Sequence, residues 1–214
     1  QLMFLATLYE YTKEEQYLAL VDRLIKFIDC VQRQTGELPY SVKSESSNKG
    51  GRDHFLCYQY NAFQFLDLAR YFDITQNPLI LDILRKLSFF LANGLKENGS
   101  SKYDCHSNHP EVTYFTAALA AAFLTAHRLE LGNFRNLSNS AYSFVLSRQN
   151  SNGGFDYSKK DYRFFSDKRS YPRPLCMILY HLLLKAREDK KTNKAKGLQS
   201  LTNESKVYEK CNDT

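Results

Sequence analysis

Tryptophan is absent from these 214 residues, and several other expected signals are missing as well. No run approaches the roughly 20 consecutive apolar residues that a membrane span requires. The longest stretch of small apolar residues, Ala117 to Leu124, is far too short, so no membrane span is expected. The apolar segment Gln1 to Tyr9 has neither a basic leader nor a cleavage site, so it does not read as a signal peptide. It reads as a helix entered partway along, and a further N-terminal portion is expected ahead of it. The cysteines Cys30, Cys57, Cys105, Cys176 and Cys211 are odd in number and contain no CxxC pair. That pattern excludes a finger-type zinc framework and favours reduced thiols in a cytoplasmic protein. A strong charge of one sign is also lacking. The formal net charge is +6, and residues 185–214 carry three of those charges. The remaining body is only mildly basic, so nucleic acid is not an expected partner.

What is present is a repeat. Gln32-Arg-Gln-Thr-Gly36-Glu-Leu38-Pro-Tyr40, Leu95-Lys-Glu-Asn-Gly99-Ser-Ser101-Lys-Tyr103 and Gln149-Asn-Ser-Asn-Gly153-Gly-Phe155-Asp-Tyr157 share a glycine and a tyrosine four residues later. The glycines are 63 and 54 residues apart, and units of that size stack to bury a core that one unit alone could not. Each copy closes an amphipathic helix. From Glu14 to Gln34, Leu18, Val21, Ile25 and Ile28 form one stripe, opposite Asp22, Arg23 and Lys26. The second amphipathic helix starts at Asn77-Pro78 and the third runs from about Asn136 to Arg148. Counting back eight residues from each glycine gives Ile28, Leu91 and Val145, and counting back twelve gives Leu24, Leu87 and Ala141, all apolar.

The helices that follow the signatures, Phe55 to Phe72, Glu111 to Leu129 and Pro174 to Ala186, are apolar over most of their surface. They are expected to form an inner layer shielded by the amphipathic helices. The fold class is therefore all-α, an array of helical hairpins over residues 1–187. Lys43 to Gly51, rich in serine and ending in Gly-Gly, reads as a flexible loop. The polar, Lys-rich residues 188–214 read as a disordered tail.

Alternating inner and outer helices joined by a Gln-x-x-x-Gly-x-aromatic turn resemble the α/α-toroid superfamily. Gln149, Gly153 and Phe155 match that turn in full; the first copy has Leu38 at the aromatic position and the middle copy keeps only Gly99. The superfamily includes terpenoid cyclases and protein prenyltransferases, and six-hairpin glycoside hydrolases, uronate lyases and epimerases share its layout. About three and a half hairpins are present, so the resemblance implies a partial ring. It also implies that ligands meet the rim where loops lead into inner helices.

At that rim the densest cluster is Tyr103-Asp104-Cys105-His106-Ser107-Asn108-His109-Pro110-Glu111. His106 or His109 would serve as general acid or base, Asp104 as orienting partner, and Tyr103 as relay or stacking group. Asp104, Ser107 and Asn108 equally suit turn caps, and Glu111 suits a first helical turn. Asp53, His54, Tyr60, Tyr114 and Tyr157 are candidate substrate contacts, with Arg163 and Arg173 as clamps on substrate charge. Asp104, Cys105, His106 and His109 are of zinc-binding type, yet adjacent residues seldom converge on one ion, and neither metal nor cofactor is expected.

The Asp-rich acid motif of cyclising terpene enzymes is missing, as is the tryptophan their cavities use. Fifteen tyrosines, several near the loops, offer apolar faces plus hydroxyls that suit sugar rings. The expected function is binding or modification of a glycan, an acidic polysaccharide or its precursor, by a hydrolase, lyase or epimerase using acid/base chemistry. An isoprenoid enzyme and a non-catalytic protein-binding scaffold are the alternatives.

Overall fold

A computed structural model describes residues 2–42, 54–161 and 163–191. Helices α1 (Leu2–Thr12), α2 (Glu15–Val31), α3 (Cys57–Thr75) and α4 (Pro78–Ala92) precede a two-residue strand, β1 (Glu111–Val112). Next come α5 (Thr113–Arg128), α6 (Arg135–Leu146), β2 (Ser158–Asp161) and β3 (Phe165–Asp167). A last helix, α7, spans 172–191. It continues past residue 187, while residues 192–214, the rest of the expected tail, lie outside the described residues. So does the serine-rich loop expected from Lys43 to Gly51.

The inner layer runs α1, α3, α5, with α2, α4 and α6 outside it: α3 packs on α1, α4 and α5, and α5 packs on α6. α7 joins the inner layer, where Ile178 packs with Ala117, Val145 and Phe155. α5 is the most enclosed element. Ala117, Ala118 and Ala120 through Ala122 are at most 1% exposed, because small side chains let neighbouring helices close on both sides. Ile80, Ile83, Leu84, Leu87 and Leu91 form the buried stripe of α4, which Asn77 caps by accepting the Leu79 N–H at 3.1 Å. This is the α/α-toroid arrangement of helical hairpins, here as a partial array.

The three signatures fold alike. Gly36, Gly99 and Gly153 have φ of +90°, +80° and +84°, the left-handed region that glycine enters without penalty. Their N–H groups donate to the carbonyls of Arg33, Lys96 and Asn150 at 2.8, 2.9 and 2.9 Å. A Cβ on Gly36 would meet the Lys86 carbonyl oxygen of α4 at 2.1 Å, and one on Gly99 would meet the Ser140 carbonyl oxygen of α6 at 2.5 Å. The first two corners thus rest on the outer helix of the next hairpin, whereas a Cβ on Gly153 would meet nothing within 4 Å. Gln32 shows what its position does: Nε2 donates to Gly36 O at 2.9 Å and to Ile83 O of α4 at 3.0 Å.

Side chains on or just before the inner helices hold the residue two places after each glycine. Asn61 accepts the Leu38 N–H at 2.8 Å and donates to its carbonyl at 3.0 Å. Thr116 accepts the Ser101 N–H at 3.0 Å, and Ser170, just before α7, donates to Phe155 O at 3.0 Å.

The all-α expectation holds apart from one small antiparallel sheet in the order β1-β2-β3, pairing Glu111 with Lys159 and Ser158 with Asp167. β1 is too short for any periodicity, and Ser158-Lys-Lys-Asp161 lacks apolar alternation, so no strand signal was readable. The segment expected to begin a helix at Glu111 instead spends two residues in this sheet.

Candidate active site

The signature tyrosines converge at the starts of the inner helices. Tyr40 lies 5.0 Å, ring to ring, from Tyr60 and 5.1 Å from Phe55. Tyr114 lies 6.0 Å from Tyr157, and Tyr157 lies 5.0 Å from Tyr171. Tyr103 stacks on Phe115 at 5.8 Å. The phenol groups of Tyr60 and Tyr40, and those of Tyr114 and Tyr157, lie close enough to perturb one another, and the buried Gln59 lies beside Tyr114. The Arg173 guanidinium sits close enough to Tyr60 and Tyr114 to lower their phenol pKa, but burial outweighs it and raises both, as it raises Tyr157. These phenols are therefore neutral at pH 7 and both donate and accept hydrogen bonds. Tyr114, Tyr157, Tyr171, Arg173, Pro174 and Met177 line a cavity of about 330 Å³.

Beside this belt stands a polar cluster. His54 Nδ1 lies 2.9 Å from Oε2 of Glu37, a carboxylate whose residue is 1% exposed. Arg33 Nη1 is 3.4 Å from His54 Nε2, and the His106 ring meets the His54 ring edge-on at 5.6 Å. Cys105 lies against Cys57, whose Sγ accepts the Cys105 N–H at 3.1 Å. Burial pushes both thiols up, so both are protonated at neutral pH.

His109 belongs to a different neighbourhood. Burial, then the charges of Lys96 and Lys160, push its pKa down, which leaves a neutral imidazole. Its neighbour Glu111 is 1% exposed and paired with Lys96 at 2.5 Å and Lys160 at 3.0 Å. Burial alone would raise that carboxyl, but the two ammonium groups win and hold it at about 2.

The structure brings Tyr60, Tyr114, Tyr157 and Arg173 together, and places His54 against His106. Arg163 acts on His109 and is not among the residues lining the tyrosine cavity. Asp104 accepts the backbone N–H groups of His106 and Ser107, each at 2.8 Å. Its turn-capping role is thus realised; no hydrogen bond to an imidazole accompanies it among the described residues. Asp53 lies outside the described residues. Sequence reasoning missed Glu37 and Gln59. Glu37 had a readable signal, an acid directly after a turn glycine, but its burial against His54 depends on a contact 17 residues away.

No family model and no curated protein matches the sequence. Solved structures do match. A possible member of the GH105 family from Salmonella enterica superposes with a TM-score of 0.70 at 14% identity, covering 88% of this chain and 55% of the other. Cellobiose 2-epimerase from Spirochaeta thermophila gives 0.69 at 15% identity, covering 89% and 51%. A glycosyl hydrolase of family 88 from Bacteroides vulgatus gives 0.66 at 14% identity, covering 87% and 60%. The chain thus spans between half and three fifths of the length of these proteins. At such identities the likeness establishes the α/α-toroid fold. Among the described residues, no helix is long and apolar enough to cross a membrane.

Proposed function

We propose that this domain binds and modifies a glycan, preferentially one bearing carboxylates, at the tyrosine-lined mouth of its inner layer. The observation that carries this reading is the cavity of about 330 Å³ walled by Tyr114, Tyr157, Tyr171 and Arg173. Aromatic faces cover the apolar side of a sugar ring, phenol hydroxyls bond its hydroxyls, and a guanidinium pairs with a uronate carboxylate in bidentate fashion. Gln59, buried beside Tyr114, has an Oε1 with no hydrogen-bond partner among the described residues and suits a sugar hydroxyl as donor. Structural neighbours named as a glycosyl hydrolase, a polysaccharide lyase and an epimerase support the same substrate class. We assign the acid/base role to His106, exposed at this rim against His54, and keep His109 as the second candidate. Tyr103 and Tyr157 serve as stacking and relay groups.

Calorimetric titration with neutral and uronate-bearing oligosaccharides tests this. Uronate oligomers should bind more tightly than neutral ones, and Arg173→Ala should erase the difference. Absence of binding by either class, or stabilisation by isoprenoid diphosphates instead, would overturn the reading.

A further inference from the structure

Three separate segments deliver metal-ligating atoms to one point. Glu37 follows the first turn glycine, His54 precedes α3, and Cys105 lies in the loop after the second signature. One ligand atom from each lies within 4.8 Å of the other two. Ligand atoms bound to a common tetrahedral ion at about 2.0 to 2.3 Å stand about 3.3 to 3.8 Å apart. The Glu37 side chain is only 2% exposed, and a carboxylate so enclosed needs a lasting positive partner. Its turn is fixed from behind, since Asn61 clamps both backbone groups of Leu38, so the oxygen is aimed before any ligand arrives.

We propose that Glu37, His54 and Cys105 form a mononuclear site for a divalent cation of the zinc class. One oxygen, one nitrogen and one sulfur donor suit Zn²⁺ and reject Mg²⁺ and Ca²⁺, which favour oxygen alone. The fourth position faces solvent: Cys105 is exposed and the His54 side chain is 35% exposed. Binding requires the neutral imidazole and releases one proton from the Cys105 thiol, so affinity rises with pH. The site lies outside the tyrosine cavity and stands whether or not a glycan binds there.

The test uses the full chain, stripped with chelator under reducing conditions and titrated with Zn²⁺ and with Co²⁺. One ion should bind per chain, Zn²⁺ should raise Tm, and the Co²⁺ form should show thiolate-to-metal charge-transfer absorption. Cys105→Ser should abolish that absorption, and His54→Gln should weaken Zn²⁺ binding roughly tenfold or more. Cys30→Ser and Cys176→Ser should change neither. Absence of saturable binding, or a Cys105→Ser protein with unaltered affinity and absorption, overturns the proposal. Circular dichroism of the metal-free variants verifies folding, and the exposed positions of Cys105 and His54 keep the test decisive even where Glu37→Gln fails to fold. Glycan titrations of the same preparations keep failure of this site distinguishable from failure of the tyrosine cavity.

Discussion

Gly36 rests directly on Lys86: an added Cβ would lie 2.1 Å from that residue's carbonyl oxygen. Gly99 meets Ser140 in the same way, at 2.5 Å, whereas Gly153 has nothing within 4 Å of such an atom. All three have positive φ. Alanine at Gly153 should therefore destabilise by about 1 kcal/mol through backbone strain alone. Alanine at Gly36 or Gly99 adds an overpacking penalty of about 1 to 3 kcal/mol. Urea denaturation of the three variants checks the ranking, and equal effects would contradict the corner-on-helix packing.

Asn61 satisfies Leu38 N–H and O and also donates to Cys57 O at 2.8 Å. Asn61→Ala leaves these groups unpartnered in a buried place, which should lower stability by about 2 to 4 kcal/mol. Asn61→Asp should also be harmful, since an acceptor would face two carbonyls. Chemical denaturation measures both.

His181 is buried, stacks on Phe63 at 6.2 Å, and has its pKa pushed down by burial to about 4. Its unfolded value is near 6.5, so the unfolded chain binds the extra proton first. Stability should fall as pH drops from 6.5 toward 4, by about 2 kcal/mol at pH 5, and level off below. Glu111, held at about 2, gives the same sign in a lower window, with stability lost between about 4.5 and 2. Thermal unfolding across pH 2 to 8 separates them: His181→Leu should flatten the upper slope while leaving the lower one.

In the tyrosine cavity, Tyr157→Phe removes a hydroxyl while keeping the ring; Tyr114→Ala removes the platform. The first should weaken oligosaccharide binding several-fold and the second by roughly tenfold or more, following the magnitudes of hydrogen-bond and aromatic contacts. His106→Ala should depress turnover with binding nearly intact. Titration and product analysis distinguish these outcomes.

The hairpin array was legible because its signal is repeated. Three copies of a Gly/Tyr corner and an apolar offset at Leu87, Leu91, Ala141 and Val145 report the same packing, and these four are 0% exposed. In the first hairpin Val21 and Ile25 take the enclosed positions, with Leu24 and Ile28 at their edge. The tyrosine belt was half legible, since Tyr60, Tyr114, Tyr157 and Arg173 could be placed at a rim by their helix starts. Glu37 could not be joined to His54 and Cys105, because that meeting depends on how three loops fold over one another. Asp104 carried two readings, orienting partner and turn cap, and its oxygen closes the local turn.

The uneven support of the three corners implies a gradient of local opening. Amides at the first and second corners, locked against α4 and α6, should exchange with deuterium only slowly. Those around Gly153, where Gln149 makes a long 3.4 Å bond on the exposed surface, should exchange early. Tyr157 itself is tied back, its carbonyl accepting the Thr113 N–H at 2.9 Å, so early exchange should stay confined to the turn while that wall of the tyrosine cavity stays docked on α5.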